Sequence, residues 1–236
     1  MGYLKYFLMI PLLLFLSPVY AQIPILDEES LTVDFSGYEW QIKTGGPFGP
    51  GANLWDAEDV LIDSLGQMHL VCRNDALGCH CGEVYLTEPL GYGTYRARMA
   101  GAFDLMHPEV IAAFFLYADD EHEIDVIERI NTVDDKAYII HTLQPSDDDC
   151  TRPFITTVRD FIAELVWTEK SALFRVYDID EETILSEWEY DGPKLPEEAD
   201  KPLVVFNAWL KDRGEGKPEG RWEFIIRNFS FKPLGE

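Results

Sequence analysis

The sequence predicts an all-β fold, a sandwich of two antiparallel sheets. Three observations support this. Short runs rich in β-branched and aromatic residues recur along the chain, and turn-forming residues separate them. The length of 236 residues, without a repeat or a linker, suits one β-sandwich domain. The single stretch that resembles a helix, Asp160 to Tyr177, has its apolar residues at mixed spacings, and Ala172–Asp178 alternates with period two.

The first 21 residues fall outside that domain. Lys5 supplies a positive charge, Phe7 to Leu16 an apolar run broken only by Pro11, and Val19-Tyr20-Ala21 small residues at the positions a signal peptidase reads. The run is shorter than the roughly 20 residues a membrane span needs. We read 1–21 as a signal peptide cleaved after Ala21 and 22–236 as one exported domain. The expected localisation is therefore secreted, periplasmic or extracellular, with no membrane association after cleavage.

The net charge of −24 makes nucleic acid and polyanions poor partners. With 47% hydrophobic and 13% aromatic residues, the chain is too apolar to be an acidic disordered tail, so the charge sits on a folded surface.

Export changes the meaning of Cys72, Cys79, Cys81 and Cys150. In an oxidising compartment two disulfides are the default, with three connectivities open, and Cys150 is expected to tie a distant loop to the other three. The alternatives are free thiols, or a zinc site from His69, Cys72 and Cys79-His80-Cys81, whose spacing is not that of a zinc ribbon. No histidine cluster or phosphate loop emerges, and Asn228-Phe-Ser230 is a sequon inside an expected strand.

In chain order, strands are expected at Val60–Asp63, Met68–Arg73, Gly93–Met99, Val110–Tyr117, Ile124–Ile130, Ala137–Thr142, Leu203–Leu210 and Trp222–Phe231. The segment 45–51, rich in Gly and Pro, reads as a loop, Glu181-Glu182 as a hairpin turn, and Asp191–Lys201 as a surface connection.

The most informative segment is Glu123-Ile-Asp-Val-Ile-Glu128. In a strand, Glu123 and Asp125 share a face, whereas Glu128 has the wrong parity. A one-residue bulge at Val126-Ile127 would return Glu128 to that face. The two glutamates would then stand four strand steps apart, roughly 13 Å between Cα atoms at about 3.3 Å per step. Inward-leaning side chains would bring the carboxyls to about 5 Å, the separation of a retaining glycosidase. In that chemistry Glu123 attacks as an anion, Asp125 hydrogen-bonds it, and Glu128 keeps a proton to give the leaving oxygen. A solvated acidic rim or a calcium site is the plainer alternative.

This segment resembles the E-x-D-x-x-E signature of glycoside hydrolase family 16. Cys81–Tyr85 with Leu90–Met99 is similar to that family's pre-catalytic strand pair, and Val110–Tyr117 to the strand before the acids. Phe206–Trp209 and Trp222–Phe231 are similar to later strands, so the resemblance covers most of residues 35–233. It implies a β-jelly roll with a concave substrate cleft, Glu123 as nucleophile, Asp125 as helper and Glu128 as acid/base. It also implies sugar contacts from Glu83, Phe115, Tyr117, Asn207 and Trp209, with Phe114 the alternative to Phe115. Asn53 and Trp55 either cover one cleft end or anchor a loop. The chain departs from the family in lacking a Trp just before the nucleophile, in carrying Arg129 after the acid, and in having Tyr85 where one branch has Arg.

The expected activity is a retaining endo-glycosidase on a neutral β-glucan, β-1,3 or mixed β-1,3-1,4, since a negative protein repels sulfated polymers. A non-catalytic carbohydrate-binding jelly roll and a transglycosylase are the alternatives. A monomer without a cofactor is expected, with room for a structural calcium ion.

Overall fold

The computed structural model describes residues 31–48, 53–76, 78–211 and 219–235. The leader expected at 1–21 lies outside them. Seventeen strands follow in chain order: β1 (Thr32–Phe35), β2 (Tyr38–Ile42), β3 (Gly45–Phe48), β4 (Asn53–Trp55), β5 (Val60–Ile62), β6 (Met68–Asp75), β7 (Gly78–Leu86), β8 (Gly93–Ala100), β9 (Val110–Asp119), β10 (His122–Val133), β11 (Lys136–Gln144), β12 (Thr151–Thr156), β13 (Asp160–Trp167), β14 (Ala172–Asp178), β15 (Ile184–Tyr190), β16 (Leu203–Leu210) and β17 (Gly220–Pro233). Helix among the described residues is limited to single 3-10 turns, and no helix there is long and apolar enough to cross a membrane.

Two antiparallel sheets face each other. The first runs β1-β2-β7-β16-β9-β10-β11-β12 and the second β5-β6-β17-β8-β13-β14-β15. Strand β7 belongs to both: Gly78–Cys81 pairs with β6, then the chain crosses and residues 82–86 pair with β16 and β2. Gly82 stands at the crossing. A Cβ there would come within 2.5 Å of the Asp59 carbonyl oxygen, so a larger residue would push the two backbones apart.

Period-two sequence makes these strands and fills the space between them. Val204, Phe206, Ala208 and Leu210 of β16 turn inward, as do Tyr95, Ala97 and Met99 of β8 and Ala172, Phe174 and Val176 of β14. Phe114 and Phe206 stack at 4.7 Å between centroids, and Phe229 of the second sheet meets Trp40 edge-on at 5.4 Å. On the outer face of the second sheet, Arg96, Arg98 and Arg175 pair with Glu181, Asp160 and Glu187. These pairs neutralise the acids locally on that face, while the chain as a whole keeps its net charge of −24.

Most expected strands are present with longer ends, and 160–178 is a β13–β14 hairpin. Gly45–Phe48, expected as loop, is instead the short strand β3. It pairs with β4 at only Gly45↔Trp55 and Phe48↔Asn53, because the intervening Gly-Pro segment breaks the register.

The two expected disulfides are not formed: none of the four cysteines is disulfide-bonded. Cys72 and Cys81 lie opposite each other with sulfurs 3.8 Å apart, against about 2.05 Å for a bond. Cys150 is held away from them, its sulfur among Asp147, Pro145 and Lys194. A zinc cluster is not assembled either, since Cys79 bonds Asn74 and His80 faces Asp56.

Candidate active site

The expected bulge is present. Against β9, Asp125 pairs with Phe115 and Ile127 with Phe114; against β11, Asp125 pairs with Thr142 and Glu128 with Ile140. Val126 is the extra residue. Ile124, Val126 and Ile127 fill the core. That packing turns Glu123, Asp125 and Glu128 onto the outer face of the first sheet.

Directly opposed residues share a face, so the pairings define three rows across that sheet. Gln144, Glu123, Tyr117 and Leu203 form one row. Thr142, Asp125, Phe115, Val205, Tyr85 and Gln41 form the next. Ile140, Glu128, Ala113, Asn207 and Glu83 form the third, with Lys43 closing it through its backbone bond to Glu83. Trp209, opposite Ile111, lies one step further along β16. The structure thus gathers Glu83, Phe115, Tyr117, Glu123, Asp125, Glu128, Asn207 and Trp209 on one surface. Phe114, the alternative to Phe115, stacks in the core.

The acids are electrostatically unusual. Burial pushes Glu123 up to about 8, opposed by a hydrogen bond from Asp125 and reinforced by Glu128. Glu128 is also pushed up to about 8, by burial and then by Asp125, against the pull of Lys211. Asp125, 3% exposed, is raised well above the carboxylate range by burial and by Glu123, while Gln144 Nε2 donates to it at 3.3 Å. Glu123 and Glu128, both held up to about 8, with Asp125 raised between them, form a coupled system that can hold and move a proton without a histidine.

The neighbours are tightly held. Lys43 Nζ lies 2.7 Å from Glu83 Oε1 and 4.2 Å from the Trp55 ring centre, and Asn207 Nδ2 donates to Glu83 Oε2 at 3.2 Å. Asn207 Oδ1 and Thr142 Oγ1 are buried without a hydrogen-bond partner. Both lie in the rows of the acids. Tyr117 donates to Asp120 at 2.9 Å, and its ring meets Phe115 edge-on. Asn53 and Trp55 are buried: Asn53 Nδ2 donates to the Leu210 carbonyl, and Trp55 packs into the core. Of the two roles the sequence left open for this pair, these contacts describe the loop anchor.

Lys43, Gln144 and Lys211 were not legible as site residues. Gln144 could have been found by hairpin pairing with Glu123, whereas nothing local distinguishes the two lysines. Arg129, expected on the other face from Glu128, is fully buried there and donates to the carbonyls of Phe103, Met106 and His107.

Away from this face, Asp56, Asp59 and His80 bring ligand atoms within 4.8 Å of one another. Arg73 already lies among them, with Nε 2.8 Å from Asp59 and Nη2 3.0 Å from Asp56. Its guanidinium supplies the positive charge that the two carboxylates need.

No family model and no curated protein matches the chain. Solved structures do. A prokaryotic β-1,3-1,4-glucanase (lichenase) from a mouse hindgut metagenome aligns with a TM-score of 0.60 and 18% identity over 83% of this chain and 93% of that one. The Bacillus licheniformis β-glucanase aligns with a TM-score of 0.61 and 17% identity over 87% and 99%. The laminarinase catalytic domain of Thermotoga maritima gives a TM-score of 0.60 and 12% identity over 84% and 92%. The chain has the jelly-roll fold of the glycoside hydrolase family 16 glucanases, the architecture its sequence resemblance implied.

Proposed function

We propose that this chain is an exported retaining endo-glycosidase that cleaves a neutral β-glucan, β-1,3 or mixed β-1,3-1,4, by double displacement. The observation that carries the reading is the placement of Glu123, Asp125 and Glu128 on one face through the Val126 bulge, all with raised pKa values. The fold shared with lichenases and a laminarinase supports the substrate class.

The division of labour follows from coupling. Like charges repel, so Glu123 and Glu128 do not ionise together near neutral pH. Asp125 hydrogen-bonds Glu123, and the first negative charge therefore settles there. Glu123 attacks the anomeric carbon, and Glu128 gives its proton to the departing oxygen. Glu128, now ionised, takes a proton from the water that resolves the glycosyl-enzyme, so stereochemistry is retained. Phe115, Tyr117 and Trp209 offer apolar ring faces to sugars, and Asn207 Oδ1 offers an acceptor to a hydroxyl.

The test is release of reducing ends from laminarin or lichenan, with the anomeric configuration of the first product read by NMR. Wild type should give the retained anomer, and Glu123→Gln should give no product while staying folded. Full activity in Glu123→Gln, or an inverted product, would overturn the proposal. Calorimetric binding with no product over long incubation would favour the carbohydrate-binding jelly roll instead.

A further inference from the structure

We propose that His141 holds the bulge that brings Glu128 onto the face of Glu123 and Asp125, and is thereby a positioning residue for the acid pair. The catalytic part of this inference rests on the reading given above.

A bulge solves a parity problem and creates a hydrogen-bonding one. Val126 has no ladder partner in either neighbouring strand, yet it is fully buried. Its carbonyl has lost its place in the sheet and is shut off from water. His141 is the β11 residue facing the bulge: its neighbours Ile140 and Thr142 pair with Glu128 and Asp125, two partners that are three residues apart. Its side chain points to the core, and Nδ1 lies 2.5 Å from the Val126 carbonyl oxygen. A carbonyl only accepts, so Nδ1–H donates. Nε2 is then the acceptor, and Ser186 Oγ of the opposite sheet lies 2.9 Å from it. The imidazole thus spans the sandwich, from the bulge in one sheet to β15 in the other.

The ring has no freedom to leave this position. It is fully buried, stacked on Phe154 at 5.3 Å between centroids and tilted against Phe174 at 5.2 Å. Burial also holds its pKa down to about 4, which keeps it in the neutral form that the two bonds need. Without the bulge, Glu128 would take the inward parity, and Ile127 would take the outer face. A donor fixed opposite the extra carbonyl favours the bulged register over that alternative.

The test compares amides that mimic one ring nitrogen each. Asn at 141 places an N–H near Nδ1 and reaches Val126, whereas Gln reaches toward Ser186. On lichenan, His141→Gln and His141→Phe should lose about 100-fold in kcat with KM within about twofold, as expected for a displaced acid. His141→Asn should keep kcat within about fivefold of wild type. Crystal structures of wild type and His141→Gln should show the Asp125–Glu128 register against β11 kept in the first and altered in the second. A His141→Gln protein with wild-type kcat, or with its bulge and Glu128 unmoved, would overturn the proposal. If His141→Phe fails to fold, the Asn and Gln pair still decides. If wild type hydrolyses no glucan, the catalytic reading fails on its own, and the crystal comparison still decides whether His141 holds the bulge.

Discussion

Asp125 hydrogen-bonds Glu123 from two positions along the same strand face, and Gln144 donates to Asp125 from the next strand. Asp125 gives the proton in this contact, since the bond lowers Glu123 and raises Asp125. Removing the donor should therefore raise Glu123 further. In Asp125→Ala, the acidic limb of kcat/KM against pH should move up by about one unit; Asp125→Asn, which still donates, should leave it near the wild-type position. An unmoved limb in the alanine variant would show that Asp125 does not tune the nucleophile.

The raised acids make stability depend on pH in a fixed direction. Glu123 and Glu128 sit near 8 in the folded chain and near 4.5 when unfolded, so the folded state binds more protons between those values. The stability they contribute is fully present below about 4.5 and is lost as pH rises toward 8. His141, lowered to about 4 from 6.5, works in the opposite sense, its contribution being lost as pH falls from 6.5. From 6.5 to 8 the buried carboxyls act in the same sense as the partly exposed His122, raised from 6.5 by its hydrogen bond to Asp119, so His122→Gln serves as the reference background. There Tm should fall with pH, and Glu128→Gln should raise Tm at pH 8 by at least 2–4 °C, the shift of about 1 kcal/mol in a domain of this size. Calorimetry at pH 6.5 and 8 checks both signs, and a Glu128→Gln protein less stable at pH 8 would contradict them.

The fold was readable because short β-branched and aromatic runs stand between turn signals: Leu203–Leu210, apolar at every position but Asn207 and set between Pro202 and Lys211, was readable as a strand to the residue. The bulge was readable because Glu128 had the wrong parity and only an inserted residue could correct it. What holds the bulge was not. His141 acts through a carbonyl on β10 and a hydroxyl on β15, contacts 15 and 45 residues apart in sequence. The charged supports of the site escaped for the same reason: Lys43 meets Glu83 only after β2 and β7 pair.

Arg129 illustrates a buried charge satisfied without a carboxylate. Its guanidinium is fully buried and donates to the carbonyls of Phe103, Met106, His107 and Val110, which form the approach to β9. Arg129→Met should leave those carbonyls unpaired and lower stability by about 1–3 kcal/mol for each one that finds no other partner. Arg129→Lys should recover only part, because one ammonium cannot match the fork. Urea denaturation measures both, and a methionine variant as stable as wild type would show that the carbonyls find other partners.

The Lys43–Glu83 pair separates a sugar-binding role for Glu83 from a structural one. Both side chains are buried, 6% and 9% exposed, at 2.7 Å, and Asn207 takes the second carboxylate oxygen. If the pair is chiefly structural, Glu83→Leu takes the carboxylate away from the buried Lys43 ammonium, costing up to about 3–5 kcal/mol, and adding Lys43→Met should restore most of that loss. If Glu83 bonds a sugar hydroxyl, KM for lichenan should stay raised in the double variant even though stability returns. We expect stability to recover and KM to remain raised several-fold, because Asn207 would lose its partner for orienting Oδ1. A double variant with wild-type KM would assign Glu83 to the scaffold alone.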